Sequence, residues 1–584
     1  MPASFLQKTL SFVLLCFAVN IQAQDRYIFH PAEAATMYFT SVKTGSANFS
    51  LQNSTHLNIQ YSFNSQSQNS FSLLYNYGTK TQDLSYHPKS FSLQYKGGNI
   101  LTQINLQFWE DINRNGIFDT EDEVYKSDEM SLGAQDVNIL NFDVKNFIKI
   151  TGNGNGVLDL KRIRAFEIIV SNKNTLHNGT FEFVDLGLDF TSENTPQLTN
   201  HNINGTFIQL WNDVGCKCGN WTKQRWEEEL QKMENLCIGE LIIQYSVYEN
   251  VSWYNQTQQS FVDWKFNALN HIFEAAVGKN IKIILGTYFS ESWNHDPKNS
   301  QQTYDKISTK NEQIINELAL NFGNHPNFGG WYIPQEINDL EWQINPQKNL
   351  LFNWLNETST QIRAVSNQKI IIAPFFNLWQ PADVILNWYK DLHSIAPNIS
   401  EIALQDGVGI GLKKINYHLP LYFKPLQAYF ESTNTHLGVT VENFEQTSGW
   451  PIDNAAFSAK SATVDRFKNQ IEMAKYLALN PIYTFEWGYL QPANNSLSAD
   501  QLYLNYAKAT NCSPTSNSII TNKGLTILNH QILFDENQDV VKIYNVNGQL
   551  VDYSQNTTTF DYRHLKSGVY IVEYNQNQKL KLLK

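Results

Sequence analysis

Three stretches of this 584-residue chain place acidic residues among aromatics and amides: Gly330-Trp-Tyr-Ile-Pro-Gln-Glu336, Val441-Glu-Asn-Phe-Glu445 and Phe485-Glu-Trp487. Two facing carboxyl groups can cleave a glycosidic bond. One protonates the leaving oxygen, and the other attacks the anomeric carbon or activates water. Glu336 and Glu442 are the candidate pair, and retention of configuration calls for a separation of roughly 5 Å. The acid needs a raised pKa while the nucleophile stays ionised. Tyr288 and Tyr332 are candidate hydrogen-bond partners for the nucleophile. Glu445 and Glu486 compete with Glu442, and the bland alternative for Glu336 is a loop salt bridge. Trp211, Gln244, Tyr288, Trp331, Gln335, Asn377, Asp406, Glu486 and Trp487 are candidate substrate-binding residues, aromatics for stacking and polar groups for hydroxyls; Trp379 is a further stacking candidate. Some of these tryptophans are expected to be core alone. Neighbouring strand residues point opposite ways, so if Trp487 faces the substrate, Glu486 turns elsewhere. No histidine cluster has metal-ligand spacing and there is no Gly-x-Ser-x-Gly elbow, so no cofactor is expected for the chemistry.

Most of these residues share one feature: they stand at or just beyond the end of an apolar, strand-like run. Eight such runs alternate with amphipathic stretches: Phe207–Trp211, Leu241–Tyr245, Ile281–Tyr288, Gly330–Pro334, Ile370–Phe376, Ile402–Gln405, Leu437–Val441 and Ile482–Phe485. The clearest helix runs from Trp221 to Leu236. Thr222 can cap it, Trp226, Leu230 and Met233 share a face, and Glu227 to Glu229 sit in its early turns. Eight strand–helix units in about 300 residues predict a closed (β/α)8 barrel, whose active sites stand at the C-terminal ends of the strands. A doubly wound open sheet is the competitor, but no Gly-rich phosphate fingerprint follows the first run.

The expected organisation is a signal peptide over 1–23, a β-sandwich over 24–197, the barrel over 198–512 and a small C-terminal β-sandwich over 513–584. The fold class is α/β overall. Lys8, the apolar run from Leu10 to Val19 and Ile21-Gln22-Ala23 make the signal peptide. Cys16 raises a lipoprotein alternative, against which stands the bulk of Leu15. No later segment is apolar enough to span a membrane. Short alternating runs such as Phe91-Ser-Leu-Gln-Tyr95 predict a jelly-roll sandwich. Within it, Asp111, Asn113, Asn115, Ile117, Asp119 and Asp122 have the spacing of a Ca²⁺ loop with Gly116 at its turn, Ile117 offering its carbonyl. An Asx-rich turn that binds nothing is the alternative. Asn153-Gly-Asn155-Gly156 with Asp159 is a weaker echo. The net charge of -12 argues against nucleic acid, and disfavours a strongly anionic substrate. Of four cysteines after residue 23, Cys216, Cys218, Cys237 and Cys512, one local bridge is expected, from Cys237 to Cys216 or Cys218.

Several motifs carry resemblances. The sandwich pattern resembles carbohydrate-binding modules of secreted glycosidases. Val541 to Val551, Leu565 to Val572 and Lys579 to Lys584 resemble the C-terminal sorting domain of the Bacteroidetes type IX secretion system. That implies passage through periplasm and outer membrane by this machinery, cleavage of the tail, and a secreted or cell-surface location. The strand-4 and strand-7 glutamates resemble the large clan of retaining glycoside hydrolases. More closely, Gly205-Thr-Phe-Ile-Gln-Leu-Trp211, Gly330 to Glu336 and Val441 to Glu445 resemble a family of secreted bacterial barrels catalogued as a domain of unknown function. Carried over by position, Glu336 is the general acid/base and Glu442 the nucleophile. One departure stands out: the clan has Asn before the strand-4 glutamate, to hold the sugar 2-hydroxyl, and this chain has Gln335. The implied function is a secreted glycoside hydrolase acting on a poly- or oligosaccharide. The runner-up is a non-catalytic surface glycan-binding protein; a carbohydrate lyase or esterase comes third.

Overall fold

The computed structural model describes residues 24–31, 40–44, 47–53, 57–67, 69–78, 80–114, 119–193, 195–211, 216–255, 267–449, 452–492, 496–510, 512, 520–522, 525–528, 531–566, 569–574 and 578–583. The expected signal peptide lies outside them.

Eight parallel strands close into a ring: Gly205–Ile208, Glu240–Ile243, Lys282–Gly286, Phe328–Ile333, Lys369–Ile372, Glu401–Gln405, His436–Glu442 and Ile482–Phe485, called barrel strands 1 to 8 below. Strand 8 returns to strand 1 with Tyr483 opposite Gly205. Each strand is followed by a helix on the outside, from Lys223–Glu234 after strand 1 to Leu497–Ala509 after strand 8. Side chains alternate across each strand. Phe207, Ile242, Ile284, Tyr332, Ile371 and Tyr483 fill the inside of the ring, while Leu241, Ile283, Trp331 and Ile370 face the helices. The first helix is as expected: Thr222 caps it, accepting the Arg225 N–H, and Trp226, Leu230 and Met233 are buried.

Two antiparallel sheets precede the barrel. One runs Asn138–Asp143, Pro88–Gly97, His177–Thr191, Leu57–Phe63, Ala47–Asn53, with Gln24–Pro31 also on His177–Thr191. The other runs Ile148–Thr151, Glu123–Lys126, Thr102–Glu110, Ile163–Asn172, Ser70–Asn76, Thr40–Thr44, with Met130–Ser131 beside Thr102–Glu110. The two are joined by a dense aromatic core in which Phe91 stacks on Phe108 at 4.2 Å. A final six-stranded antiparallel sheet, from Ile520 to Leu583, packs around its own core of Ile532, Phe534, Val541, Ile543 and Val572.

The sandwich grips the barrel at the start of its fifth helix, Ala382–Ile395. Asp83 accepts the Ala382 N–H at 3.0 Å, a donor that no turn of that helix can satisfy. Arg162 holds Asp383 with two bonds of 3.1 Å. Tyr27 stacks on Tyr417 at 4.5 Å.

The cysteines pair otherwise than expected. Cys216 bonds to Cys218, and Cys237 bonds to Cys512 across 275 residues. The reason is the first helix. At about 1.5 Å per residue it carries the chain from the C-terminal mouth to the opposite end of the barrel, so Cys237 ends far from Cys216 and Cys218. Cys512 follows the last helix, Leu497–Ala509, which runs the same way. A bridge over so long a loop restricts the unfolded chain strongly. Replacing both Cys237 and Cys512 by Ser is therefore expected to destabilise the barrel by about 2–5 kcal/mol, read as a lowered midpoint in denaturant; an unchanged midpoint would contradict this.

Candidate active site

Glu442 is the last residue of barrel strand 7. Its side chain is buried, and its Oε2 accepts the Ile410 N–H at 3.0 Å. The donor belongs to the loop after strand 6, Gly407-Val-Gly-Ile-Gly-Leu-Lys413. A Cβ on Gly409 would meet the Phe444 carbonyl at 2.6 Å and the Glu442 Cβ at 2.7 Å, so only glycine lets this loop lie so close. Behind the glutamate, Asp406 accepts the Gln470 amide at 2.6 Å and the Glu442 N–H at 3.3 Å. Burial, and then the negative charge of Asp406, raise the Glu442 carboxyl above the ordinary range; Lys413 and the N–H groups of Ile410 and Gly409 pull it back.

Glu336 stands three residues beyond strand 4. Its main chain is held by Trp293, whose Nε1 donates to the Glu336 carbonyl at 2.7 Å. Trp293 in turn stacks on Trp342 at 5.3 Å. The Glu336 carboxyl reaches solvent yet has protein on every flank of the cleft. Its pKa is raised by desolvation and secondarily by Glu291; its contact with solvent limits that rise.

Both glutamates line one cleft of about 330 Å³ at the C-terminal mouth of the barrel. Gln244 and Asn377 line it too, and so does Tyr332. The Gln244 Oε1 has no hydrogen-bond partner among the described residues. Asn377 is placed by Asp339, which accepts its main-chain N–H at 2.7 Å and that of Trp379 at 2.8 Å.

Other expected binders stand off the cleft. Trp331 lies on the outer side of strand 4, edge-on to Phe328 at 5.3 Å. Trp487 is fully buried and donates its Nε1 to Glu229 of the first helix at 2.9 Å. Glu486, its neighbour, therefore turns the other way and accepts the Gln209 N–H at 3.1 Å; burial pushes its pKa up to about 8. Gln335 is buried with its amide given to the Tyr288 carbonyl at 2.8 Å. Tyr288 is buried beside Ser290 and is no partner of Glu442. Asp406 lies beneath Glu442 rather than in the cleft. Trp211 is half-buried in a rim cluster, donating to the Tyr245 hydroxyl at 3.1 Å. Trp379 is covered by the Lys80 ammonium, 3.9 Å above its ring. Glu445 is exposed and paired with Lys460 at 3.5 Å.

Conversely, Lys413, Gln405, Phe376, Gln446 and Phe457 line the cleft without having been singled out. The glycine-rich run Gly407 to Gly411 was the available signal for Lys413: such a loop exists to bring backbone close to something.

In the sandwich, Asp111 and Asp122 are buried, each with an Oδ1 that has no hydrogen-bond partner among the described residues. Asp122 is pushed up to about 6 by burial, with Asp111 adding to it and Arg164 opposing. Asn113 donates to Asp119 at 3.4 Å. Asn115 and Ile117 lie outside the described residues. Among the described residues no group of three His, Cys, Asp or Glu is arranged to hold a metal. Two orphaned carboxylate oxygens nonetheless fit a cation's donor set.

Fold and cleft together define a (β/α)8 barrel with paired carboxyl groups at its mouth. The chain belongs to the DUF4434 family, a domain of unknown function, over residues 203–496. Residues 513–584 match the secretion system C-terminal sorting domain, the type IX export signal, so the protein is secreted or carried to the cell surface. No helix among the described residues is long and apolar enough to cross a membrane. The chain is 23% identical over 193 residues to uncharacterized protein YbcH of Escherichia coli K12, covering 32% of this chain and 61% of that relative. Among solved structures it is similar to a candidate alpha-L-fucosidase of Bacteroides thetaiotaomicron (18% identity, 55% of this chain, 96% of that one, TM-score 0.46). It is also similar to a family 11 carbohydrate-binding module of Clostridium thermocellum (16% identity, 30% and 99%, TM-score 0.23). A GH18 chitinase of Pseudoalteromonas aurantia is another neighbour (11% identity, 53% and 100%, TM-score 0.32).

Gly409→Ala is expected to cost about 1–3 kcal/mol, the usual penalty of forcing a methyl into filled space. Equilibrium denaturation measures it, with an unchanged midpoint as the contrary result.

Proposed function

We propose that this protein is a secreted glycoside hydrolase that cleaves a poly- or oligosaccharide by a two-glutamate, retaining mechanism. The observation that carries the reading is the meeting of Glu336 and Glu442 in one cleft. Glu336, in solvent contact with a raised pKa, protonates the leaving oxygen. Glu442, fixed by Ile410 and set on the rigid end of strand 7, attacks the anomeric carbon. Water then releases the sugar, with Glu336 acting as base. Phe444 and Phe457 offer apolar ring surface, and Gln244, Asn377, Gln405 and Gln446 offer amides for hydroxyls. A glycan-binding role without catalysis has one observation in its favour: Gln335 and Trp487, expected to hold sugar, are turned into the core.

We also propose that Ca²⁺ braces the sandwich at Asp111 and Asp122, with Asn113, Asn115, the Ile117 carbonyl and Asp119 completing the loop.

Digestion of a glycan panel, followed by NMR of the product anomers, tests the hydrolase. The released sugar is expected to keep its configuration, and Glu336→Gln and Glu442→Gln are each expected to lower kcat by at least about 10²-fold. Full activity in either variant sinks the pair. Because Glu442 must be ionised and its pKa is raised, kcat/KM is expected to fall with decreasing pH through a value above the usual carboxylate range. A profile flat down to that range contradicts the assignment. For calcium, a chelator is expected to lower the Tm of the wild type and to leave Asp122→Asn unmoved; equal effects on both would rule the site out.

A further inference from the structure

Resting on the hydrolase reading, we propose that Lys413 is a positioning residue whose ammonium keeps Glu442 in its ionised, nucleophilic form. Lys413 ends the glycine-rich loop that wraps Glu442. Its side chain is 2% exposed. Its Nζ sits 3.7 Å over the Phe376 ring and 3.4 Å from the Gln405 carbonyl, its one hydrogen bond among the described residues. The Gly407 backbone, at φ +62°, leaves room for it: a Cβ there would come within 2.6 Å of Nζ.

Burial works against the ammonium, and three carboxyl groups hold it charged: Glu442, Asp406 and Asp339. From the other side stands His418, at the start of the next helix, whose pKa is held down first by burial and then by the charges of Lys413 and Lys414. Arg466, on the helix after strand 7, also lies close. Its guanidinium, however, is bonded to the main-chain carbonyls of Glu442 and Phe444, not to the carboxylate. Among the described residues that line the cleft with Glu442, Lys413 is thus the one cation.

The asymmetry between the two glutamates follows. Glu442 is raised by burial and by Asp406, with a cation and backbone donors facing it that oppose them. Glu336 has desolvation and the like charge of Glu291. Both carboxyl groups are raised, but only Glu442 has a cation and backbone donors working to restore its carboxylate, the form a nucleophile needs.

A thermodynamic cycle of Lys413→Met, Glu442→Gln and the double variant tests the pairing without any substrate. Each single change leaves one buried charge unbalanced, so the Tm loss of the double is expected to be smaller than the sum of the two single losses. Additive losses overturn the proposal. If Lys413→Met alone does not fold, recovery of folding in the double variant is the same coupling, and failure of both overturns it. In kinetics, losing the cation lets Glu442 bind its proton at higher pH. The acid limb of kcat/KM in Lys413→Met is expected to move up by about 1 pH unit or more, and to return toward wild type in Lys413→Arg. An unmoved limb contradicts the role. Should the wild type cleave no glycan at all, the hydrolase reading falls, and the cycle still decides whether the pair is coupled.

Discussion

Closure of the strand ring is the constraint from which the site follows. The backbone pairing of Ile482–Phe485 with Gly205–Ile208 completes eight parallel strands. With every strand pointing the same way, all eight C-terminal ends open on one mouth. Phe207, Ile242, Ile284, Tyr332, Ile371 and Tyr483 fill the ring below that mouth. The only place left for Glu336 and Glu442 to meet is above this plug, where side chains stop and loops begin.

Within the mouth the decisive quantity is desolvation. A carboxylate moved out of water is disfavoured unless charge or donors replace the lost solvent. Around Glu442 the replacement is local and dense, a backbone N–H from a loop that only glycine lets approach and a buried ammonium, set against the like charge of Asp406. Around Glu336 it is sparse. The same cleft therefore holds two like groups in unlike electrostatic settings, and the difference comes from the loop after strand 6 rather than from the strands themselves.

The sandwich is more than a passenger. Its Asp83 ends the barrel's fifth helix where backbone donors would go unmet, and its Lys80 covers Trp379. Trp379 and the cleft residue Asn377 belong to one short loop pinned by Asp339. The module thus braces a wall of the cleft. Both disulfides suit the oxidising surroundings into which the sorting tail delivers the protein.

Much of this was legible in the residue order. Alternating apolar runs of β-branched residues dictate strands, and amphipathic stretches such as Trp221 to Leu236 dictate helices, because each must bury one face. Eight such units specify the barrel, and the strand ends that carry Glu336 and Glu442 follow from counting. Side-chain direction did not follow. Beyond the last ladder bond the alternation breaks down, so whether Trp487 or Glu486 faced inward depended on a partner, Glu229, more than two hundred residues away. Gln335 was claimed by a carbonyl of strand 3's end for the same reason. Lys413, distant in sequence from both glutamates, reached the cleft only because the loop folded back over it. The pairing of Cys237 with Cys512 likewise needed two helices laid side by side. Local pattern is set by which face a segment must bury; contacts between segments are set by packing in three dimensions, and that information exists only once the ring has closed.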